Sequence, residues 1–145
     1  MKVLIADDEA IVLEGLKYII DWEALGFSIC SQARTGDEAL EKLMKLSPDL
    51  VLLDIRMPGL TGTEIVQIAR ENGFHGHFII LSGYSDFSYA QTAIKYGVDF
   101  YLTKPIDEDE LENAVLTVKK QIEDERKSAR TLNQYRENAR DTIIR

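Results

Sequence analysis

Short apolar segments alternate along the chain with longer segments whose apolar residues recur every three or four positions. The short segments have the length and flanking polar residues of buried strands, whereas the longer spacing is typical of amphipathic helices. Residues 49–53 show no polar alternation, as expected for a strand that is covered on both faces. The pattern predicts five strands, at residues 2–6, 27–33, 49–53, 77–82 and 98–102.

A segment with helical spacing follows each predicted strand. The five predicted helices lie at residues 9–20, 36–46, 62–71 and 86–96, and from about residue 108 onward. Regular alternation of strands and helices predicts an α/β fold, a doubly wound five-stranded parallel sheet with helices on both faces. No Gly or Pro occurs between Ile106 and Arg145, so we expect the last helix to be extended.

Composition limits the function classes. The chain has 145 residues, enough for one domain with an appendage, and its net charge of −8 argues against a broad basic face for nucleic acid. Cys30 is the single cysteine, which excludes an internal disulfide and favours a reducing compartment. No apolar run approaches the ~20 residues of a membrane span, and the acidic N-terminus is unlike a signal peptide. We therefore expect a cytoplasmic protein without membrane contact.

Polar residues that can bind ligands or take part in reactions follow or end four of the predicted strands. Asp7 and Asp8 follow the first strand and Asp54 follows the third, while Ser82 ends the fourth and Lys104 follows the fifth. Ligands of open parallel sheets bind outside the carboxyl ends of the strands. We therefore expect three acids, one hydroxyl and one lysine at a single edge of the sheet.

Repulsion among the three carboxylates at this edge favours the binding of a cation. Two carboxylates ~4 Å apart repel by about 4 kcal/mol at an effective dielectric constant near 20. A cluster of three must take up protons or bind a cation, and carboxylate oxygens favour Mg²⁺. Such a site also suits a phosphoryl group, for which Lys104 supplies positive charge and Ser82 a neutral donor.

Each residue also has an ordinary alternative role. Asp7 or Asp8 is suited to cap the first helix, and Asp54 to form a turn before "MPG". Ser82 is suited to local hydrogen bonding and Lys104 to solvation. Because all four alternatives would have to coincide at four strand ends, we favour a common site.

Four motifs carry this site: "ADDE", "DIRMPGLTG", "LSGY" and "YLTKP". In this order and spacing they resemble the receiver domain of two-component response regulators, over about residues 1–120. The resemblance implies the flavodoxin-like strand order 2-1-3-4-5. It further implies a phosphorylation-activated signalling switch, and no enzyme activity beyond phosphorylation and dephosphorylation of the protein itself.

The resemblance also assigns roles to individual residues. It implies that Asp54 is the phosphoacceptor, supplied by a sensor histidine kinase. Mg²⁺ would bind Asp8, Asp54 and the backbone carbonyl of Arg56, with Asp7 acting mainly through water.

The phosphoryl contacts and the switch follow from the same resemblance. Ser82 and Lys104 would contact the phosphoryl group, and Tyr101 would form a conformational switch with Ser82. The peptide bond between Lys104 and Pro105 is expected to be cis.

A finer resemblance concerns residues 82–107 together with "DWEALGF". These segments are similar to YesN-like regulators, whose receivers precede an AraC-type DNA-binding output domain. The resemblance implies a receiver domain at residues 1–122 and a helical extension or linker at 123–145. Transcription control and DNA contact would then require an output domain that is absent from this chain.

Two other functions remain open from the sequence. The first is a stand-alone receiver that acts by protein contact. The second is a phosphohydrolase of the haloacid-dehalogenase type, which also uses an aspartate nucleophile. That family places a second acid two residues after the nucleophile, where this chain has Arg56.

Two surfaces are candidates for a homodimer. One is the face of the fourth predicted helix and fifth predicted strand, with Tyr89, Tyr96 and Tyr101. The other is a coiled-coil seam in the last helix, for which a plain helical linker is the alternative. Its positions alternate in steps of four and three: Leu111, Val115, Val118, Ile122, Glu125, Ala129, Leu132, Arg136, Ala139 and Ile143.

The two histidines stand at alternate positions of "FHGHF". His75 and His77 would share one face of a strand, as metal ligands can. A closed metal site usually requires more ligands. We therefore assign this segment to a polar loop and the entry of a strand.

Overall fold

A computed structural model describes the backbone of residues 1–83 and 95–144 and the side chains as far as Leu132. The predicted helix at residues 86–96 therefore lies almost entirely outside the described residues, as does Tyr89. The described elements are β1 (Lys2–Ala6), α1 (Ala10–Tyr18), β2 (Ser28–Ala33), α2 (Gly36–Leu46), β3 (Leu50–Asp54), α3 (Gly62–Glu71), β4 (His77–Ser82), β5 (Phe100–Thr103) and α4 (Glu108–Ile144).

The sheet has five parallel strands in the order β2-β1-β3-β4-β5, which confirms the predicted α/β fold. Strand β3 lies at its centre, where Leu52 is in register with Ile5 of β1 and Ile79 of β4. All residues of β3 and β4 are buried. The absence of polar alternation in these two strands thus reflects cover on both faces.

Two helices pack on each face among the described elements. Helices α1 and α4 cover one face through apolar residues such as Leu13, Leu16 and Val115. Helices α2 and α3 cover the other, where Leu43 and Ile65 are fully buried. Among the described elements, the sheet therefore lies between two pairs of helices.

Helix α1 is shorter than the predicted residues 9–20. The indole Nε1 of Trp22 donates to the backbone carbonyl oxygen of Leu16 at 2.8 Å. In a continued helix that carbonyl would accept from the amide of Ile20. The buried indole therefore takes a hydrogen bond that would extend the helix.

Helix α4 is extended, as predicted, and contains 37 residues, about 55 Å at the usual rise of an α-helix. Its first half packs on the sheet, and Ile122 is its last buried residue among those with described side chains. From residue 123 to Leu132 the side chains are exposed. Within the described residues, no helix combines the length and apolar character required to cross a membrane.

Candidate functional site

The carboxyl ends of β1 and β3 bring three acids together. Asp7 and Asp8 directly follow β1, and Asp54 is the last residue of β3. One carboxylate oxygen from each lies within 4.8 Å of the other two. The structure therefore forms the acidic cluster of Asp7, Asp8 and Asp54 that the strand pattern predicted.

Asp7 combines a local contact with a distant one. Its side chain is fully buried, and its Oδ1 accepts a hydrogen bond from the backbone amide of Glu9 at 3.0 Å. Its Oδ2 accepts from Lys104 Nζ at 2.8 Å. The local contact is to the N-cap residue of α1 and not to an amide inside the first turn, where a capping side chain would accept. The second contact places the same carboxylate in the acidic cluster.

Lys104 follows β5 and reaches across the strand ends. Its Nζ also lies 3.4 Å from Asp54 Oδ1. Burial opposes the charge of Lys104, but the hydrogen bond to Asp7 and the charges of Asp54 and Asp7 prevail and raise its pKa. The sequence placed Lys104 at this edge but gave no indication that it pairs with Asp7.

Asp54 is a weakened acid in this setting. Burial and the charge of Asp7 raise its pKa from 3.8 to about 6, while Lys104 and a backbone hydrogen bond from Arg56 act in the opposite direction. The burial cost is expected because a carboxylate loses hydration at a buried strand end. At neutral pH and above, Asp54 is therefore mainly ionised and able to act as a nucleophile.

Ser82 and Tyr101 lie on neighbouring strands beside the acidic cluster. Ser82 follows Leu81, the register partner of Asp54, and its side chain is fully buried. The Tyr101 hydroxyl donates to Ser82 Oγ at 2.7 Å, and Ser82 Oγ donates to the carbonyl oxygen of Gly83 at 2.9 Å. The two predicted switch residues are thus in direct contact.

The loop after β5 has the predicted backbone geometry. The peptide bond between Lys104 and Pro105 is cis. The amide of Lys104 donates to the carbonyl oxygen of Ser82 at 2.6 Å, so β4 and β5 remain paired up to the site.

The acidic cluster fits a hard divalent cation. All three side chains offer carboxylate oxygens, and neither His nor Cys contributes to the group. Among the described residues, this is the one group of at least three His, Cys, Asp or Glu side chains with that proximity. Arg56, whose backbone carbonyl oxygen is the further ligand expected from the sequence, stands two residues after Asp54.

His75 and His77 contribute to no such group in the described part of the chain. His77 is the first residue of β4, in line with the expected strand entry, whereas His75 is exposed. Sequence reasoning missed that His77 contacts Asp99 and Glu125, at 3.0 and 3.1 Å. These acids lie 22 and 48 residues away, so no local pattern links them.

Comparison with known proteins points to one family. The family model described as "Response regulator receiver domain" matches residues 3–116. The transcriptional regulatory protein YesN of Bacillus subtilis is 41% identical over 132 residues, which are 88% of this chain and 36% of YesN. The transcriptional regulatory protein HptR of Staphylococcus aureus is 41% identical over 111 residues, 77% of this chain and 43% of HptR. The chain thus spans less than half the length of these relatives.

Solved structures agree in fold and in sequence. The receiver domain of AraT, a response regulator from Geobacillus stearothermophilus, is 42% identical with a TM-score of 0.81. That match covers 86% of this chain and 97% of the solved one. A two-component transcriptional regulator AraC from Clostridium phytofermentans is 36% identical with a TM-score of 0.75, over 83% and 93% of the two chains.

Proposed function

Because this chain belongs to the response-regulator receiver domain family, we propose that it is a signalling switch whose Asp54 accepts a phosphoryl group from a sensor histidine kinase. The observation that carries the proposal is the position of Asp54 at the end of β3, 3.4 Å from Lys104 and inside the acidic cluster. Membership of the receiver family accounts for the aspartate nucleophile, so we do not propose the alternative of a phosphohydrolase.

The chemistry is a transfer between two nucleophiles. An Asp54 carboxylate oxygen forms the new bond to phosphorus, while the bond from phosphorus to the donor's histidine nitrogen breaks and that nitrogen keeps the electron pair. Such transfers depend mainly on positioning and charge neutralisation. Lys104 supplies part of the positive charge, and the strand ends hold the carboxylate in place.

Mg²⁺ would supply the remaining neutralisation when bound. Asp8, Asp54 and the backbone carbonyl of Arg56 would hold it, with Asp7 acting mainly through water. The all-oxygen donor set and the proximity of the three acids support this assignment.

Ser82 and Tyr101 would transmit the phosphorylated state. A phosphoryl group on Asp54 offers Ser82 a strong new acceptor, in competition with the carbonyl oxygen of Gly83. Tyr101 donates to the same hydroxyl and would respond to its movement. The hydrogen bond between these two residues supports their assignment as the switch.

The surface of α1 suits a docked phosphodonor. Ile11 and Tyr18 are 79% and 81% exposed on this helix. An apolar cleft lined by Tyr18 is also lined by Pro105 and by Lys104, whose ammonium lies 3.4 Å from Asp54. An apolar helix of the kinase would pack here while its histidine approaches Asp54.

The wider role proposed is control of transcription through an AraC-type output domain outside this chain. The names of YesN and HptR as transcriptional regulatory proteins support the role in transcription, and the solved regulator AraC from Clostridium phytofermentans supports the type of output domain. DNA would be contacted only by that output domain. A second copy of the chain would pair through α4, whose side chains from residue 123 to Leu132 are exposed. Without an output domain, the receiver would act by protein contact alone.

Intact-mass spectrometry with Mg²⁺ and acetyl phosphate tests the phosphoacceptor. Wild type should gain one phosphoryl group, Asp54→Asn none, and Asp8→Asn should require more Mg²⁺ for the same labelling. Asp124→Asn removes an exposed acid from α4 and is the matched control. Undiminished labelling of Asp54→Asn would place the nucleophile elsewhere.

A further inference from the structure

The base of the projecting part of α4 is fastened to the body at a charged cluster. Among the described side chains of α4, Ile122 is the last buried one, and Glu125 and Arg126 contact the body within the following turn. Arg126 Nη2 donates to Asp49 Oδ1 at 2.7 Å. Glu125 contacts His77, which lies at the amino end of the sheet, opposite to the acidic cluster.

Both ring nitrogens of His77 face a carboxylate. Nδ1 lies 3.0 Å from Asp99 Oδ1, and Nε2 lies 3.1 Å from Glu125 Oε1. A neutral imidazole carries one N–H and would therefore present a lone pair to one of the two acids, whereas the imidazolium donates to both. The geometry is thus fully satisfied only when His77 carries an additional proton.

The surrounding charges are divided between the packed elements. Asp99 precedes β5, Glu125 lies on α4, and Asp99 Oδ2 also accepts from the amide of Phe78 at 3.1 Å. Arg70 of α3 is one opposing positive charge: it interacts electrostatically with Asp99 and Glu125, and its guanidinium lies 5.0 Å from the Phe78 ring centre. The pair of Arg126 and Asp49 lies in the same cleft, which the exposed His75 also lines.

The two acids outweigh the cost of burial. The hydrogen bond to Asp99 is the largest influence, burial opposes it, and Glu125 adds to the rise, so the pKa of His77 lies above its ordinary 6.5. An imidazolium bridge is therefore complete below pH 6.5 and is lost as the pH rises through the raised pKa.

The same strands reach the proposed phosphorylation site. Strand β4 begins at His77 and ends at Ser82. Asp99 immediately precedes β5, which carries Tyr101 and leads to Lys104. The bridge thus joins α4 to the two strands that carry the switch residues.

We propose that His77, Asp99 and Glu125 form a proton-operated latch that fastens the base of the projecting part of α4 to strands β4 and β5. With the proton bound, the latch holds the direction in which α4 leaves the body. With the proton lost, Glu125 turns to solvent, and the part of α4 from residue 123 onward separates more readily from the body. This inference goes beyond the phosphorylation switch, and its test requires neither Mg²⁺ nor a phosphodonor.

Proton NMR titration of His77 tests the bridge. Its midpoint should lie above 6.5, the ordinary value for a histidine. Glu125→Gln should lower this midpoint. Glu123→Gln removes the same charge from an exposed neighbour on α4 and is the matched control. Equal His77 midpoints in Glu125→Gln and Glu123→Gln would overturn the latch.

Amide hydrogen exchange, corrected for intrinsic rates, tests the consequence for the helix. Protection of the amides from residue 123 to Leu132 should fall by roughly two- to fivefold between pH 6 and pH 9, the range for a half-exposed ion pair. His77→Gln, which cannot take up the proton, should show low protection at both pH values. Wild-type protection that does not change with pH would overturn the proposal.

Discussion

At the scale of a single residue, the ionised Asp54 carboxylate lowers the free energy of unfolding. An acid whose folded pKa is raised destabilises the fold when it is ionised, so the cost is absent below its unfolded pKa of 3.8 and complete above about 6. We expect Asp54→Asn to raise the free energy of unfolding by about 2 kcal/mol at pH 8 without Mg²⁺. Urea denaturation at several pH values should show this gain vanish near pH 4. A gain that persists at pH 4 would contradict the electrostatic origin.

Lys104 stabilises the fold, because its positive charge offsets the negative charges of Asp7 and Asp54. Its ammonium lies 2.8 Å from Asp7 and 3.4 Å from Asp54, so its removal leaves buried carboxylates without their cation. We expect Lys104→Met to lower the free energy of unfolding by about 1 to 3 kcal/mol without Mg²⁺. Added Mg²⁺ should narrow the difference in a urea titration. Lys120→Met is the matched control on an exposed side of α4, and an equal effect of both variants would contradict the role of the pair.

The residues of the site could be predicted from the sequence more fully than their contacts. Strand ends and residue types placed Asp7, Asp54 and Lys104 at one edge, because parallel strands must end together. The ion pair between Lys104 and Asp7 spans 97 positions and depends on side-chain conformation, which strand periodicity does not encode. The partners of His77 could not be predicted for the same reason, because they also depend on side-chain conformations of residues far apart in the chain.

At the scale of the elements, the start of α2 is packed against the loop that follows β3. The amide of Gly36 donates to the carbonyl oxygen of Pro58 at 2.9 Å, and a methyl group at Gly36 would overlap the carbonyl of Leu60. We expect Gly36→Ala to destabilise the protein by about 1 to 3 kcal/mol, because the backbone must move.

Gly15 provides the contrasting substitution. It lies inside α1, and apart from its chain neighbours and the nearby backbone of the helix itself no atom lies within 4 Å of an added methyl group. Gly15→Ala should therefore stabilise the protein by about 0.5 to 1 kcal/mol through helix propensity. Thermal unfolding should show a lower melting temperature for Gly36→Ala and a higher one for Gly15→Ala. Equal destabilisation by both substitutions would contradict the steric explanation.

Element boundaries show where sequence patterns lose precision. The predicted and observed limits agree for β1, β4, α2 and α3, where caps or turn residues flank a clear apolar pattern. Helix α3, for example, begins with a capping box of Thr61 and Glu64. Helix α1 ends early because of a hydrogen bond from a buried indole, a tertiary effect that local periodicity cannot report.

The whole molecule combines a compact body with a helix, α4, that extends beyond its described contacts with that body. Beyond Arg126, α4 continues for about 18 residues, roughly 27 Å. A helix of that length is marginal in water without a packing partner. Within its described side chains, Leu132 is 49% exposed at a seam position of the predicted coiled coil. These features favour association of two chains along this part of the helix.

The mass of the chain in solution tests this association. We expect light scattering to show a mass that rises with concentration for residues 1–145, and a monomer for a shortened chain ending at Arg126, which retains the latch. Leu132→Asp should weaken association, because a charge at a seam position must be desolvated, whereas Lys127→Asp on the outer side should have less effect. Each chain should be measured with and without beryllofluoride, which mimics the phosphoryl group. If both lengths show the same mass in both states, the helix has no pairing role, and any dimer must form through the receiver body.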